Sequence, residues 1–256
     1  MKKPVIKVEV STETHSKTSN SRRQFLKMGG LAVAGSSLLL YGCSDDDDMD
    51  PITPPVDGVF DLGAGNLGIL NYAYALEQLE ADFYTRVIDG AYYKGLPDGD
   101  EKTLLEDVWY HEVIHREFFK TAITAVAPDD ITPDLAFDYG NVNFDDRDSV
   151  LATALLLEDT GVSAYNGAGK LIDVTAPNGD VYLGLAGKIV SVEARHASAF
   201  ADLINPGTTA FARDGILVDL GGTGLSYDKA TPPSDVLAAA GGFITTEFTA
   251  NQLPTE

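Results

Sequence analysis

Little in this 256-residue chain is sulfur-bearing or basic. Cys43 is its only cysteine, which excludes a disulfide framework and a thiolate metal cluster, since either needs more than one thiol. Eighteen Lys and Arg stand against 39 Asp and Glu, for a formal net charge of −21. So acidic a chain is not a nucleic-acid binder, because phosphate contacts need a basic face. The apolar run at 28–41 is too short to cross a bilayer, which takes roughly 20 residues as a helix. What is present is a 44% hydrophobic content, enough for a sizeable core in one or two domains.

The first 43 residues are not part of that core. They hold seven Lys and Arg and two Glu, a net +5, leaving −26 on the remainder. A charged stretch followed by an apolar run of this length reads as a signal peptide. Ser21-Arg22-Arg23-Gln24-Phe25-Leu26-Lys27 resembles a twin-arginine export signal. Leu40-Tyr41-Gly42-Cys43 resembles a bacterial lipobox with Cys43 as the lipidated residue, although Tyr41 is larger than usual there. These resemblances imply export by the twin-arginine route and a periplasmic or cell-surface protein held to a membrane by lipid. Asp45 to Asp48 and the Pro-rich stretch to Pro55 then read as a solvated tether. An acidic run after a lipidated cysteine also looks like the surface-export signal of some Gram-negative lipoproteins. The reading divides the chain into a signal (1–43), a tether (44–60), a folded body (61–206) and a C-terminal extension (207–256).

Apolar residues recur at helical period from 67 to 88, and Gly90 and Gly95-Leu96-Pro97 end that run. Asp100 reads as the N-cap of a second helix that Pro128 stops. Residues 128–147 carry no helical period, and 20 residues reach about 60 Å when extended, enough to cross a bundle end to end. Further helices are expected over 148–171 and 181–205, separated by a Pro177-Asn178-Gly179 turn. Two helical hairpins joined by one long crossover make an all-α, ferritin-like four-helix bundle. The Gly-rich tail offers a short helix over 234–240 and is expected to pack on the bundle, over an open end.

Within the second helix, His111-Glu112-Val113-Ile114-His115 admits two readings. As His-Glu-x-x-His it is the zinc site of a metalloprotease. As Glu112-x-x-His115 it places one carboxylate and one imidazole on a single helix face. An internal repeat favours the second. Glu193-Ala194-Arg195-His196 is another Glu-x-x-His, displaced by 81 residues, and the same offset carries Glu77 onto Glu158 and Tyr84 onto Tyr165. It also carries Leu76 onto Leu157, Phe119 onto Phe200 and Ile123 onto Ile204, whereas His111 falls on Val192 and Glu80 on Gly161. Everything a two-metal carboxylate site requires is repeated; the first histidine of the protease-like string is not, and His111 reads as a helix-surface residue.

Glu, Glu-x-x-His, Glu, Glu-x-x-His on four successive helices resembles the ferritin-like superfamily. The segments Leu76-Glu77-Gln78-Leu79-Glu80-Ala81-Asp82-Phe83-Tyr84 and Leu157-Glu158-Asp159-Thr160-Gly161-Val162-Ser163-Ala164-Tyr165 resemble its exported members, which include desiccation-related proteins. The resemblance implies two divalent metal ions, iron or manganese, with Glu112 and Glu193 bridging. Glu77 and Glu158 would be terminal ligands, with His115 and His196 one on each metal. Four carboxylates and two neutral imidazoles sum to −4, which two divalent cations neutralise; buried without them, each unpaired carboxylate costs several kcal/mol. Tyr84 and Tyr165 are expected to donate hydrogen bonds to the ligands, and Glu80 to support them or replace Glu77. Glu106, Asp107, Glu117 and Asp159 are expected to face water. Three functions follow: an oxidase or peroxide-consuming enzyme acting on O₂ or H₂O₂, a non-catalytic metal-braced surface or stress protein, or a zinc metalloprotease. Each of these readings is compatible with an oligomer.

Overall fold

The computed structural model describes residues 58–219, 224 and 227–255. The arginine pair, Cys43 and the aspartate run of the tether lie outside the described residues. Four long helices dominate: α1 (Gly65–Asp89), α3 (Asp100–Val126), α4 (Arg147–Gly169) and α5 (Gly179–Ile204). A short α2 (Ala91–Gly95) links the first two. It arises because the chain turns at Gly90, where any side chain would collide with the Phe144 carbonyl. No described helix is long and apolar enough to cross a membrane.

The helix ends follow local chemistry, with two departures from expectation. Gly99 caps α3, and Asp100 lies just inside it with Glu101, two acids in the first turn where the helix dipole favours negative charge. α4 begins one residue earlier than the expected 148, capped by Asp146, which accepts a hydrogen bond from the Ser149 amide at 2.8 Å. Asn178 takes the left-handed conformation (φ 62°) that lets the chain turn into α5.

α1 packs chiefly against α3, and α4 against α5, so the bundle consists of two hairpins. The crossover between them runs along α1. Asn71 donates to the Asp130 carbonyl at 2.8 Å and accepts from the Thr132 amide at 2.9 Å. Gln78 in turn donates to the Pro133 carbonyl at 3.1 Å and accepts from the Leu135 amide at 2.9 Å. Two buried amide side chains thus supply hydrogen bonds that an irregular segment cannot make for itself. With the crossover on one side and the bundle on the other, α1 is buried at every position from Gly68 to Ala81.

The C-terminal segment packs on the bundle, against α4 and the crossover, and its last strand reaches the entry to α1. Its helix α6 (Pro233–Ala240) packs against α4, and the Thr231 amide donates to the Ser163 carbonyl at 2.9 Å, in the last two turns of that helix. Further on, the Asp138 amide donates to the Phe243 carbonyl, and the Thr245 amide to the Ala136 carbonyl, both at 2.8 Å. Two small ladders complete the fold. Strand β1 (Phe60–Asp61) pairs in parallel with β4 (Phe248–Thr249), and β2 (Leu217–Val218) pairs antiparallel with β3 (Tyr227–Asp228).

Candidate metal centre

Each long helix contributes to one buried polar layer. Glu77 comes from α1, Glu112 and His115 from α3, Glu158 from α4, and Glu193 and His196 from α5. The four glutamates are completely inaccessible to solvent, and the two histidines nearly so. The Glu-x-x-His spacing brings each glutamate and histidine to one face of its helix, so both pairs turn inward together.

The six side chains form two overlapping groups. Glu77, Glu112, His115 and Glu193 make one; Glu112, Glu158, Glu193 and His196 make the other. Glu112 turns Oε2 to His115 Nδ1 (3.2 Å) and Oε1 to His196 Nδ1 (2.9 Å). Glu193 divides its oxygens likewise, with Oε1 3.0 Å from His115 Nδ1 and Oε2 3.7 Å from His196 Nδ1. Glu77 Oε2 lies 3.5 Å from His115 Nδ1, and Glu158 Oε2 3.1 Å from His196 Nδ1. Two carboxylates are therefore shared between the groups, while each group has one carboxylate and one imidazole of its own.

The donors at hand do not satisfy this arrangement. Each Nδ1 carries at most one hydrogen yet is surrounded by three carboxylates. Glu77 Oε2, Glu112 Oε1 and both oxygens of Glu193 are buried without an aligned hydrogen-bond donor, although imidazole nitrogens lie nearby. Cations in the two groups would satisfy all of these oxygens at once, and an oxygen-rich set with one nitrogen per ion suits iron or manganese. The residues fit the metals.

The electrostatics carry the same message. Burial raises Glu77 to about 8, with His115 opposing and Glu193 and Glu112 reinforcing. Burial also lifts Glu80 and Glu158 well above the carboxylate range. Burial works to raise Glu193 too, but hydrogen bonding to both imidazoles prevails and holds it at about 2. Burial pulls the imidazoles down, but the surrounding carboxylates outweigh it, raising His115 and taking His196 to about 12. The carboxylates of this layer thus favour positive charge at its centre.

Around this layer the two tyrosines cross over. Tyr84 in α1 donates to Glu158 in α4, and Tyr165 in α4 donates to Glu77 in α1. The sequence places each tyrosine two turns from the glutamate of its own half; the fold gives it to the glutamate of the other. Burial raises both phenols well above their usual range, so they remain protonated donors. Glu80 is buried beside the layer, and its Oε2 has no hydrogen-bond partner among the described residues. It belongs to neither four-residue group.

Sequence reasoning underestimated His111. The residue is exposed, as expected, but its Nδ1 lies 2.8 Å from His196 Nε2 and the two rings stack 5.1 Å apart. With His196 turned by Nδ1 toward the carboxylates, its Nε2 faces outward to His111, which is placed to hold the ring in that orientation. The signal was present: His111 and His115 are four apart, hence on one helix face. His111 enters neither group, and Glu112, which the protease reading requires as a general base, is locked between two imidazoles. A second correction concerns Asp159, expected to face water. It is partly buried and forms an ion pair with Arg213 of the C-terminal segment.

No curated protein matches the chain significantly. The sequence profile of the ferritin-like domain family matches residues 65–206, the stretch from the start of α1 to just past α5 that carries all six of the clustered side chains. The chain belongs to the ferritin-like domain family.

Proposed function

We propose that this chain is an exported, lipid-anchored ferritin-like protein that holds two iron or manganese ions and consumes O₂ or H₂O₂. The observation carrying the proposal is the sharing of Glu112 and Glu193, each of which turns one oxygen toward each histidine. A carboxylate placed so between two ligand sets would hold an ion on each side. In this assignment Glu77 and His115 complete one ion's ligands, and Glu158 and His196 the other's. When bound, the ions supply redox equivalents and a Lewis-acid surface for oxygen chemistry.

The chain's own residues do the rest. Tyr84 and Tyr165 hold Glu158 and Glu77 in place from across the bundle, leaving the second oxygen of each free to ligate. His111 orients His196. The leucine, phenylalanine and tyrosine packing on either side of the layer excludes bulk water, which strengthens every charge interaction within it. The twin-arginine-like motif and Cys43 support the export reading, a route that suits a bundle loaded with metal before translocation.

A non-catalytic role, with metals only bracing the bundle, uses the same ligands and differs in turnover alone. Metal analysis by mass spectrometry of protein purified without chelator, beside Glu112→Ala and Glu193→Ala, tests the centre. Two equivalents of iron or manganese, lost in both variants, are expected. A single zinc that survives Glu193→Ala and is lost in His111→Ala would overturn the proposal. Oxygen and peroxide consumption by the loaded protein then separates the enzyme from the braced scaffold.

A further inference from the structure

One flank of the centre is open in a way that the repeat does not explain. Between α1, α4 and the C-terminal segment lies a cavity of about 50 Å³, walled by Leu76, Leu79, Leu157, Ala240 and Phe243, with Glu80 and Gly161 also on its lining. A single water occupies about 10–15 Å³ in this measure, so the cavity admits a molecule of a few heavy atoms. Its walls are mostly apolar, and the Glu80 carboxyl, whose Oε2 has no hydrogen-bond partner among the described residues, lies on them. The Thr160 hydroxyl, which also borders it, already donates to the Leu156 carbonyl at 2.7 Å.

Gly161 separates this cavity from the metal layer. A methyl group added there would lie 3.1 Å from Glu80 Oε1 and 3.8 Å from Glu193 Oε2. The missing side chain thus brings the cavity up to a bridging carboxylate. The 81-residue offset pairs Gly161 with Glu80 itself, so the large residue on one hairpin faces the smallest on the other. The outer wall comes from Ala239, Ala240 and Phe243, which lie beyond residues 65–206 and so belong to this chain's own extension.

We infer that this cavity is a binding pocket for a small apolar molecule, dioxygen, which reaches the metal centre past Gly161 and Glu80. The inference rests on the proposed function and selects O₂ over H₂O₂ as its substrate. Peroxide carries two O–H donors, and against leucine and phenylalanine walls it would surrender hydrogen bonds to water with only Glu80 to replace them. Dioxygen loses none, and apolar walls accept uncharged gases.

Xenon-pressurised crystals of the purified protein test the pocket without reference to the metals. Xenon is expected between Leu157 and Ala240 in the wild type and absent in Ala240→Leu, which fills the space from the C-terminal side. Gly161→Ala, a single methyl in a helix, is expected to keep xenon but obstruct the inner end. With iron(II) loaded and metal content unchanged, both variants are expected to slow oxidation by O₂ by roughly tenfold and to leave oxidation by H₂O₂ unchanged. No xenon in the wild type, or an unaltered O₂ rate in both variants, would overturn the pocket. Xenon bound in a protein that takes up no metal would instead overturn the proposed function, and the role for dioxygen with it.

Discussion

Tyr84 and Tyr165 show how much of the centre depends on single hydrogen atoms. Each phenol donates to a buried terminal glutamate, and removing such a donor from a metal ligand typically weakens binding 10–100-fold. Tyr165→Phe is expected to weaken the ion on the Glu77–His115 side, and Tyr84→Phe the ion on the Glu158–His196 side, each by about tenfold. Stepwise metal titration by calorimetry checks this, since one of two binding steps should move in each variant. His111 gives a sharper contrast, because it serves only one side. His111→Ala is expected to weaken the His196 ion by about tenfold while leaving the His115 ion and the stoichiometry of two unchanged. Loss of all metal in that variant would return Glu112 to its protease-like reading.

The helices were legible because their signals are local. Periodic apolar residues and Gly or Pro stops gave all four long helices to within a few residues. What escaped was decided by contact between distant segments: the short α2, the run of the C-terminal segment along α4, and Asp159 pairing with Arg213. One such contact ties the hairpins together. Glu101 at the start of α3 accepts from Arg147 at the start of α4 at 2.7 and 3.0 Å, and Arg147 also donates to the Leu203 carbonyl of α5 at 3.3 Å. The Arg147 hydrogen bond holds Glu101 below the usual carboxylate range. Its stabilisation is therefore complete above the unfolded value of about 4.3 and is lost as pH falls through the lower folded value. Glu101→Gln is expected to cost about 1 kcal/mol at neutral pH and nothing in strong acid, read from urea unfolding across pH. Gly167 marks a close approach of α4 to the C-terminal segment, since a side chain there would overlap the Thr231 carbonyl. Gly167→Ala is expected to destabilise by about 1–3 kcal/mol, despite alanine's better helix propensity, which thermal denaturation can measure.

At the scale of the whole molecule, the candidate ligands were legible because a repeat fixes register without any knowledge of contacts. Six side chains at one offset were enough to bring out the shared glutamates. The partner of each tyrosine was not legible, because an offset relates positions and does not say which face meets which. Nor was the cavity, whose wall comes from residues with no counterpart in the repeat. A protein with this many buried carboxylates should depend on its cations to stay folded. Metal at 100 times its dissociation constant is expected to add about 2.7 kcal/mol, seen as a rise in unfolding midpoint that chelator reverses and Glu193→Ala abolishes. The crossed tyrosines carry one more consequence. Each hairpin lends the other the phenol that steadies its glutamate, so neither is a functional half. If the chain were severed within the crossover, the two pieces should be inert alone and regain metal only when mixed, as obligate partners rather than duplicates.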